Sequence, residues 1–261
     1  MENALSSIIA SIDAQRAHIS RGVRLLQREN YGQYFTPHII SSFMASFFPV
    51  PIEKPIKLLD PGAGIGGLSC AFVMNILERS PQSSIQVDCF EIDDLLIPTL
   101  SGNLHSINLS AKVNYSIFNV DFVKSAVNEI LSFEKPIYTH AILNPPYMKI
   151  HSNSEYRRLM SAIDIEVVNL YSAFVSLSVE LVMDNGYIVA ILPRSFCNGV
   201  YYRPFRRHLY ANSVIRRIHL FESRSSIFKD DKVLQENVII MLQKTQKTTP
   251  VCSQPFPSRI S

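Results

Sequence analysis

The 261-residue chain is 47% hydrophobic and 18% charged, with a formal net charge of +3, so it is a folded chain rather than a disordered one. The charge permits nucleic acid as a partner without arguing for it. No window approaches the roughly 20 apolar residues of a spanning helix, and the opening MENALSSIIASIDAQ carries acids where a signal peptide carries lysines, so a cytoplasmic protein with no membrane partner is expected.

In chain order, Leu5, Ile8, Ile9, Ile12, Ile19, Val23 and Leu26 recur three or four apart. That period predicts a helix or helix pair over residues 1–35, packed on the main body. Thr36 and Pro37 read as an N-cap and first helical position, launching HIISSFMASFF toward the prolines at 49, 51 and 55. Short β-branched runs follow: IKLLD (56–60), IQVDCFEID (85–93), VNYSIFNVD (113–121) and YTHAILN (138–144). Between the first three lie helical segments, GLSCAFVMNILERS and DLLIPTLSGNLHSIN. Strand and helix alternate as in a parallel sheet covered on both faces. A helix is expected from about 165 to 183, ended by DNG with Gly186 at the C′ position. YIVAILP, VIRRIHLF and NVIIMLQK supply three more strands, and residues 246–261 read as a tail or linker. Cys70, Cys89, Cys197 and Cys252 are irregularly spaced, so neither a metal site nor a disulfide framework is expected.

Ligands of parallel sheets bind beyond the carboxyl ends of the strands, where Asp60, Glu91, Asp121 and Asn144 fall. LLDPGAGIGGLSCAF turns from strand to helix through Gly62, Gly64, Gly66 and Gly67. It lacks the Gly-Lys-Ser/Thr of a phosphate loop and does not fit G-x-G-x-x-G. Glu91 is placed to accept from ribose hydroxyls, and Asp121 from an exocyclic amine of adenine. Singly, each reads better as a solvated strand-end acid. Together with the glycine turn they describe a nucleoside site without phosphates.

HAILNPPYMK then ends a buried strand in two prolines, which cannot donate to a ladder. An aromatic amine is a poor nucleophile because its lone pair is conjugated into the ring. Two acceptors on its hydrogens, the Asn144 side-chain oxygen and the Pro145 carbonyl, would aim that lone pair at an electrophile. Pro146 stiffens the corner and Tyr147 offers a ring on which a base can stack. A proline-stiffened loop with a buried tyrosine is the plainer alternative.

GQYFTP (32–37), DPGAGIGG (60–67), FEID (90–93), NVDF (119–122), NPPY (144–147), NLYSAF (169–174) and FKDDKVLQENVIIMLQK (228–244) resemble, in that order, the adenine-N6 DNA methyltransferases of the TaqI-like gamma class. The resemblance covers roughly residues 30–245. It implies a Rossmann-like class I methyltransferase, with a mostly parallel seven-stranded sheet, one antiparallel strand and helices on both faces. Residues 36–245 would form the catalytic domain after an N-terminal helical segment. S-adenosylmethionine would be the methyl donor, with S-adenosylhomocysteine as product, and an adenine of double-stranded DNA the acceptor. By the same resemblance Thr36 and Pro37 touch the methionine part of the donor, and Asp60 with Gly62, Ala63 and Gly64 lies along its carboxylate side. Glu91 holds the ribose, Ile92 packs on the donor adenine, Asp121 and Phe122 read it and Phe174 closes on it. Asn144 and Pro145 grip the target amine, with Tyr147 and Phe228 as aromatic walls for a flipped base. Arg157, Arg158, Arg203, Arg206, Arg207, Lys229 and Lys232 are candidate DNA contacts, with Arg216 and Arg217 in the same basic stretch. The segment KIHSNSEYRRLM is expected to order only on DNA. Family members that act on one site carry a large recognition domain after the core, so a separate target-recognition region or subunit is expected, and a cognate restriction endonuclease is a possible partner. Protein-glutamine methylation, RNA adenine methylation and a catalytically silent DNA-binding subunit are the rival readings.

Overall fold

A computed structural model of the protein describes residues 11–19, 35–49, 55–111, 113–221 and 237–245. The expected tail at 246–261, along with Phe228, Lys229 and Lys232, lies outside them. A helical stretch at 11–19 is followed by α1 (His38–Ala45), β1 (Ile56–Pro61), α2 (Gly67–Arg79), β2 (Ile85–Phe90) and α3 (Ile97–Ala111). Then come β3 (Asn114–Phe118), α4 (Phe122–Leu131), β4 (Tyr138–Leu143), α5 (Glu155–Ala162), α6 (Leu170–Leu181) and β5 (Val182–Pro193). Two 3₁₀ turns, Arg194–Cys197 and Val200–Tyr202, lead to α7 (Arg203–Asn212), β6 (Ser213–Leu220) and β7 (Asn237–Lys244).

The seven strands form one sheet in the order β3-β2-β1-β4-β5-β7-β6. All run parallel except β7, which is antiparallel to both β5 and β6. Successive side chains of the central strands enter opposite cores, as the two-residue period of a strand requires. Leu59, Ala141, Leu143, Ile188 and Ala190 pack with α4, α6 and α7, while Leu58, Ile142, Val189 and Ile191 pack with α1, α2 and α3. Both faces are therefore covered, which is why these strands read as continuous apolar runs rather than as alternations.

The sequence order reverses at β1, which is flanked by β2 and β4. β1 pairs with β2 over six residues, from Ile56↔Ile85 to Pro61↔Phe90, but with β4 only through Leu58↔His140 and Leu59↔Ala141. Beyond those pairs the carboxyl ends of β1 and β4 carry no common ladder, and such a switch point is where open α/β sheets bind ligands. The glycine turn leaves one lip of this crevice and Asn144 the other.

Four expectations are corrected. α6 begins at Leu170, capped by the Asn169 side chain accepting from Ser172 N at 3.0 Å, rather than near residue 165. It ends at Leu181 in an extended residue, and Asp184–Gly186 lie within β5. Gly186 is required by proximity rather than by a helix cap: a Cβ there would lie 2.5 Å from Val182 Cγ1 and 2.6 Å from the Thr139 carbonyl oxygen. Pro37, not Thr36, is the N-cap of α1, because the Thr36 hydroxyl is engaged across the crevice. The segment after Tyr147 is folded without DNA: Ser154 caps α5, which is tied to α4 by a Lys124–Glu155 ion pair at 2.8 Å and by the Tyr156 hydroxyl donating to Asp121 Oδ2 at 2.6 Å.

Candidate active site

The first lip is shaped by left-handed backbone. Gly62, Gly64 and Gly66 have φ of +77°, +58° and +82°, a region that costs an L side chain roughly 1 kcal/mol or more. Space also excludes side chains: a Cβ at Gly64 would sit 3.3 Å from the Phe35 ring, and one at Gly66 2.9 Å from Leu100. The turn delivers the chain into α2, whose N-cap Gly66 has no capping side chain. Asp60 reaches that turn from the end of β1, accepting from the Ser69 hydroxyl at 2.5 Å. Asp60 is wholly buried, and burial pushes its carboxyl up to about 7, with the nearby Glu91 adding to the shift. Its other oxygen, Oδ1, has no partner among the described residues. The structure thus ties Asp60 first to the geometry of the turn.

Glu91 follows β2 and is also buried. Its Oε2 accepts from Gly64 N at 2.7 Å and its Oε1 from Asp93 N at 2.8 Å, so it braces the glycine turn against the β2 end. Burial raises its carboxyl above the ordinary value, and the backbone amides of Asp93 and Gly64 work against that. Ile92 stands 46% exposed beside it, an apolar surface just beyond a strand end. Asp121 N-caps α4, accepting from Lys124 N at 3.1 Å, while its other oxygen holds Tyr156. A row of rings runs behind these acids. Phe90 stacks on Phe118 at 4.8 Å, meets Phe122 edge-on at 5.3 Å, and Phe122 meets Phe174 at 5.0 Å. A Cβ on Gly62 would touch Phe174 at 3.4 Å, which places that ring against the turn.

The second lip carries Asn144. Its Nδ2 donates to Thr36 Oγ1 at 3.0 Å, and its Oδ1 accepts from the Tyr147 hydroxyl at 3.0 Å. The Tyr147 hydroxyl also reaches the Ile191 carbonyl at 3.4 Å, and its ring meets Tyr171 edge-on at 6.2 Å. Tyr171 in turn stacks on Tyr202 at 5.7 Å. Pro145 is buried and Pro146 half-buried. One cavity joins the lips: Thr36, Gly62, Ala63, Gly64 and Asn144 all line it, together with the first turn of α2.

Pattern reading missed one contributor. Ile12, Asp13 and Arg16, from the helical stretch at 11–19, line the same cavity. Their spacing signals a helical face but not what that face meets. Among the basic candidates, Arg158, Arg203 and Arg207 are exposed and Arg157 is half-buried. Arg206 differs, because its Nη1 donates to the Phe196 and Gly199 carbonyls at 2.7 and 2.8 Å and so braces the 3₁₀ turns after β5. Arg216 donates to Gln243 at 2.8 Å, and Arg217 lies over the Phe47 ring at 4.8 Å, both on β6.

A 3-2-1-4-5-7-6 sheet with β7 reversed, a glycine turn after β1 braced by an acid after β2, and a polar corner after β4 define a class I S-adenosylmethionine-dependent methyltransferase. The sequence pattern of Eco57I restriction-modification methylases matches residues 82–228, and the chain belongs to that family. It is 44% identical over 246 residues to the type II methyltransferase M.BsuBI of Bacillus subtilis, covering 92% of this chain and 48% of that protein. It is 39% identical to M.PstI of Providencia stuartii, over 83% of this chain and 44% of that one. The chain thus spans about half the length of these relatives. A class I methyltransferase of Listeria monocytogenes shares the fold at a TM-score of 0.66 and 14% identity, over 98% of this chain and 72% of that one. DrdV, solved bound to DNA, does so at 0.65 and 16%, over 92% of this chain and 29% of that one.

The residues fit the donor of that class. Left-handed glycines leave the turn without side chains, an exposed Ile92 and the Phe122–Phe174 pair offer apolar surface for a flat ring, and the cavity beyond the turn has both apolar and polar walls, Asp13, Arg16, Thr36 and Asn144 among the latter.

Proposed function

We propose that the chain is the catalytic part of a type II restriction-modification methyltransferase that methylates the N6 amine of adenine in double-stranded DNA. The observation that supports it best is Asn144, anchored to Thr36 on the wall of the donor cavity and followed by two prolines and an aromatic ring. S-adenosylmethionine, when bound, supplies an electrophilic methyl group on a sulfonium. The chain's own task is to present the amine. Asn144 Oδ1 and the Pro145 carbonyl take one amine hydrogen each, which turns the nitrogen lone pair outward. Tyr147 gives up its hydrogen bond to Asn144 Oδ1 when the amine arrives and stacks its ring on the flipped base, with Phe228 as the second wall. As the new N–C bond forms and the C–S bond breaks, the amine sheds one proton to solvent. No protein nucleophile takes part. The described cysteines suit that, since burial raises the Cys70 and Cys89 thiols far from reactivity.

Glu91 and Asp121 hold the ribose and adenine of the donor through lone pairs not used by their present partners, with Ile92 and Phe174 enclosing the adenine. Arg158, Arg203 and Arg207, and beyond the described residues Lys229 and Lys232, serve the DNA backbone, as phosphate contacts position a duplex without reading it. Reading of the target sequence falls to a separate region or subunit, and a restriction endonuclease of the same specificity is the expected companion.

The test is labelled methyl transfer to duplex DNA, RNA and a glutamine-containing protein, with the modified atom identified by mass spectrometry. Transfer to adenine N6 of duplex DNA is expected, reduced about 100- to 1,000-fold by Asn144→Ala with S-adenosylhomocysteine binding retained. Transfer to cytosine, RNA or protein instead, or N6 transfer that survives Asn144→Ala, refutes the proposal.

A further inference from the structure

The helical stretch at 11–19 lies on the donor cavity, and three of its residues line it. Ile12 and Arg16, four apart on one helical face, are both buried, Arg16 being only 8% exposed. A guanidinium withdrawn from water needs anionic partners. Arg16 Nε donates to Asp13 Oδ1 at 2.8 Å, and the same oxygen accepts from His38 N at 3.2 Å, so the pair is pinned to the start of α1. Burial alone would raise the Asp13 carboxyl, but Arg16 and the His38 amide hold it below its ordinary value.

The opposite wall has little to offer an anion. Gly62 N and Ala63 N both donate to the Phe90 carbonyl, at 2.8 and 2.9 Å, and Gly64 N to Glu91. The Ser69 hydroxyl is engaged with Asp60. What remains on that wall is the start of α2 at Gly67 and Leu68, the positive end of a 13-residue helix. Among the described side chains lining the cavity, Arg16 alone is permanently cationic. The residues suited to the donor's nucleoside, Glu91, Ile92, Asp121 and Phe174, are not part of this cavity wall, so the cavity takes the donor's other end. That end is an amino acid bearing a carboxylate.

We infer that Arg16 recognises the α-carboxylate of the donor, facing it across the cavity from the first turn of α2, with Asp13 as the positioning residue that fixes the guanidinium. The assignment rests on the cavity being a donor site. It makes the N-terminal stretch part of the binding site and sets a ligand preference: nucleosides that keep the amino-acid carboxylate bind tightly, and those that lack it bind weakly.

Calorimetric titration of the full protein with S-adenosylhomocysteine and with its decarboxylated form, S-adenosyl-3-thiopropylamine, tests this for wild type, Arg16→Met and Arg16→Lys. Arg16→Met should weaken S-adenosylhomocysteine roughly 10- to 100-fold, the scale of a lost charge-assisted contact, and leave the decarboxylated ligand within twofold. Arg16→Lys should recover part of the loss. Unchanged binding of decarboxylated ligand also shows that the variant is folded. Equal weakening of both ligands, or no weakening of S-adenosylhomocysteine, overturns the role of Arg16. A wild type that binds neither ligand overturns the donor site itself and this inference with it.

Discussion

Asp60 offers the sharpest test of the electrostatics. Its carboxyl is wholly buried and raised from 3.8 to about 7, by burial first and by Glu91 in addition, against the opposing hydrogen bonds from Ser69. Below pH 4 it is protonated in folded and unfolded chains alike and costs nothing. As pH rises through 3.8 toward 7, the unfolded chain releases this proton while the folded chain keeps it, so stability is lost with rising pH. The gap of about three pH units, at ~1.4 kcal/mol each, caps the loss at about 4 kcal/mol. His140 works in the opposite sense over nearly the same window. Burial among Phe48, Phe72 and Tyr187 lowers it from 6.5 to about 4, so its contribution is present above 6.5 and disappears as pH falls toward 4. In the wild type the two groups offset one another. Asp60→Asn keeps an oxygen for Ser69 but carries no proton to release, so the Asp60 contribution drops out of its profile while His140 and the other shifted groups, Glu91 among them, remain in both proteins. Urea unfolding at intervals from pH 4.5 to 8 should show the variant gaining stability on the wild type by about 1 kcal/mol per pH unit until near neutrality. Parallel profiles for the two proteins would refute the assignment of a buried, proton-retaining Asp60.

Gly186→Ala should lower stability by about 2 to 3 kcal/mol in urea unfolding, because the added Cβ meets Val182 and the Thr139 carbonyl well inside contact distance and two of its three neighbours are backbone. Tyr147→Phe removes the hydroxyl that occupies Asn144 Oδ1 but keeps the ring, so methyl transfer should stay within tenfold of wild type. Tyr147→Ala removes the stacking surface and should cost roughly 10- to 100-fold. If Phe is as poor as Ala, the hydroxyl rather than the ring carries the function.

The central strands were legible because burial on both faces leaves a nearly unbroken apolar trace, whereas the edge strands β3 and β6, largely unburied, were legible only from their β-branched and alternating residues. α4 had no counterpart in the sequence reading, although Phe122, Val123, Ala126 and Val127 are buried at helical spacing and Asp121 is a good cap. The run VNYSIFNVD alternates apolar and polar residues almost to its end, and only the geometry shows it leaving the sheet after Phe118. Gly186 misled for a related reason: a glycine after a helix signals a cap, whereas here the demand is a close backbone approach that no local pattern records. The acids do follow the strands, but each also holds the local fold, Glu91 and Asp121 through backbone amides and Asp60 through the Ser69 hydroxyl, a load invisible until the glycine turn and β2 are seen together. Arg16 was beyond reach, since a helical face does not state what it covers.

The hydrogen bond between Thr36 and Asn144 joins residues 108 positions apart, and the former precedes the first strand. With Arg16 and Asp13 it lies in a part of the chain that lines the cavity while its described residues add no strand to the sheet. The site is therefore assembled from two pieces whose encounter is intramolecular, and the covalent link sets their effective concentration. Separated, the pieces would complete the pocket only by mass action, and donor affinity would become a function of how much of the smaller piece is supplied.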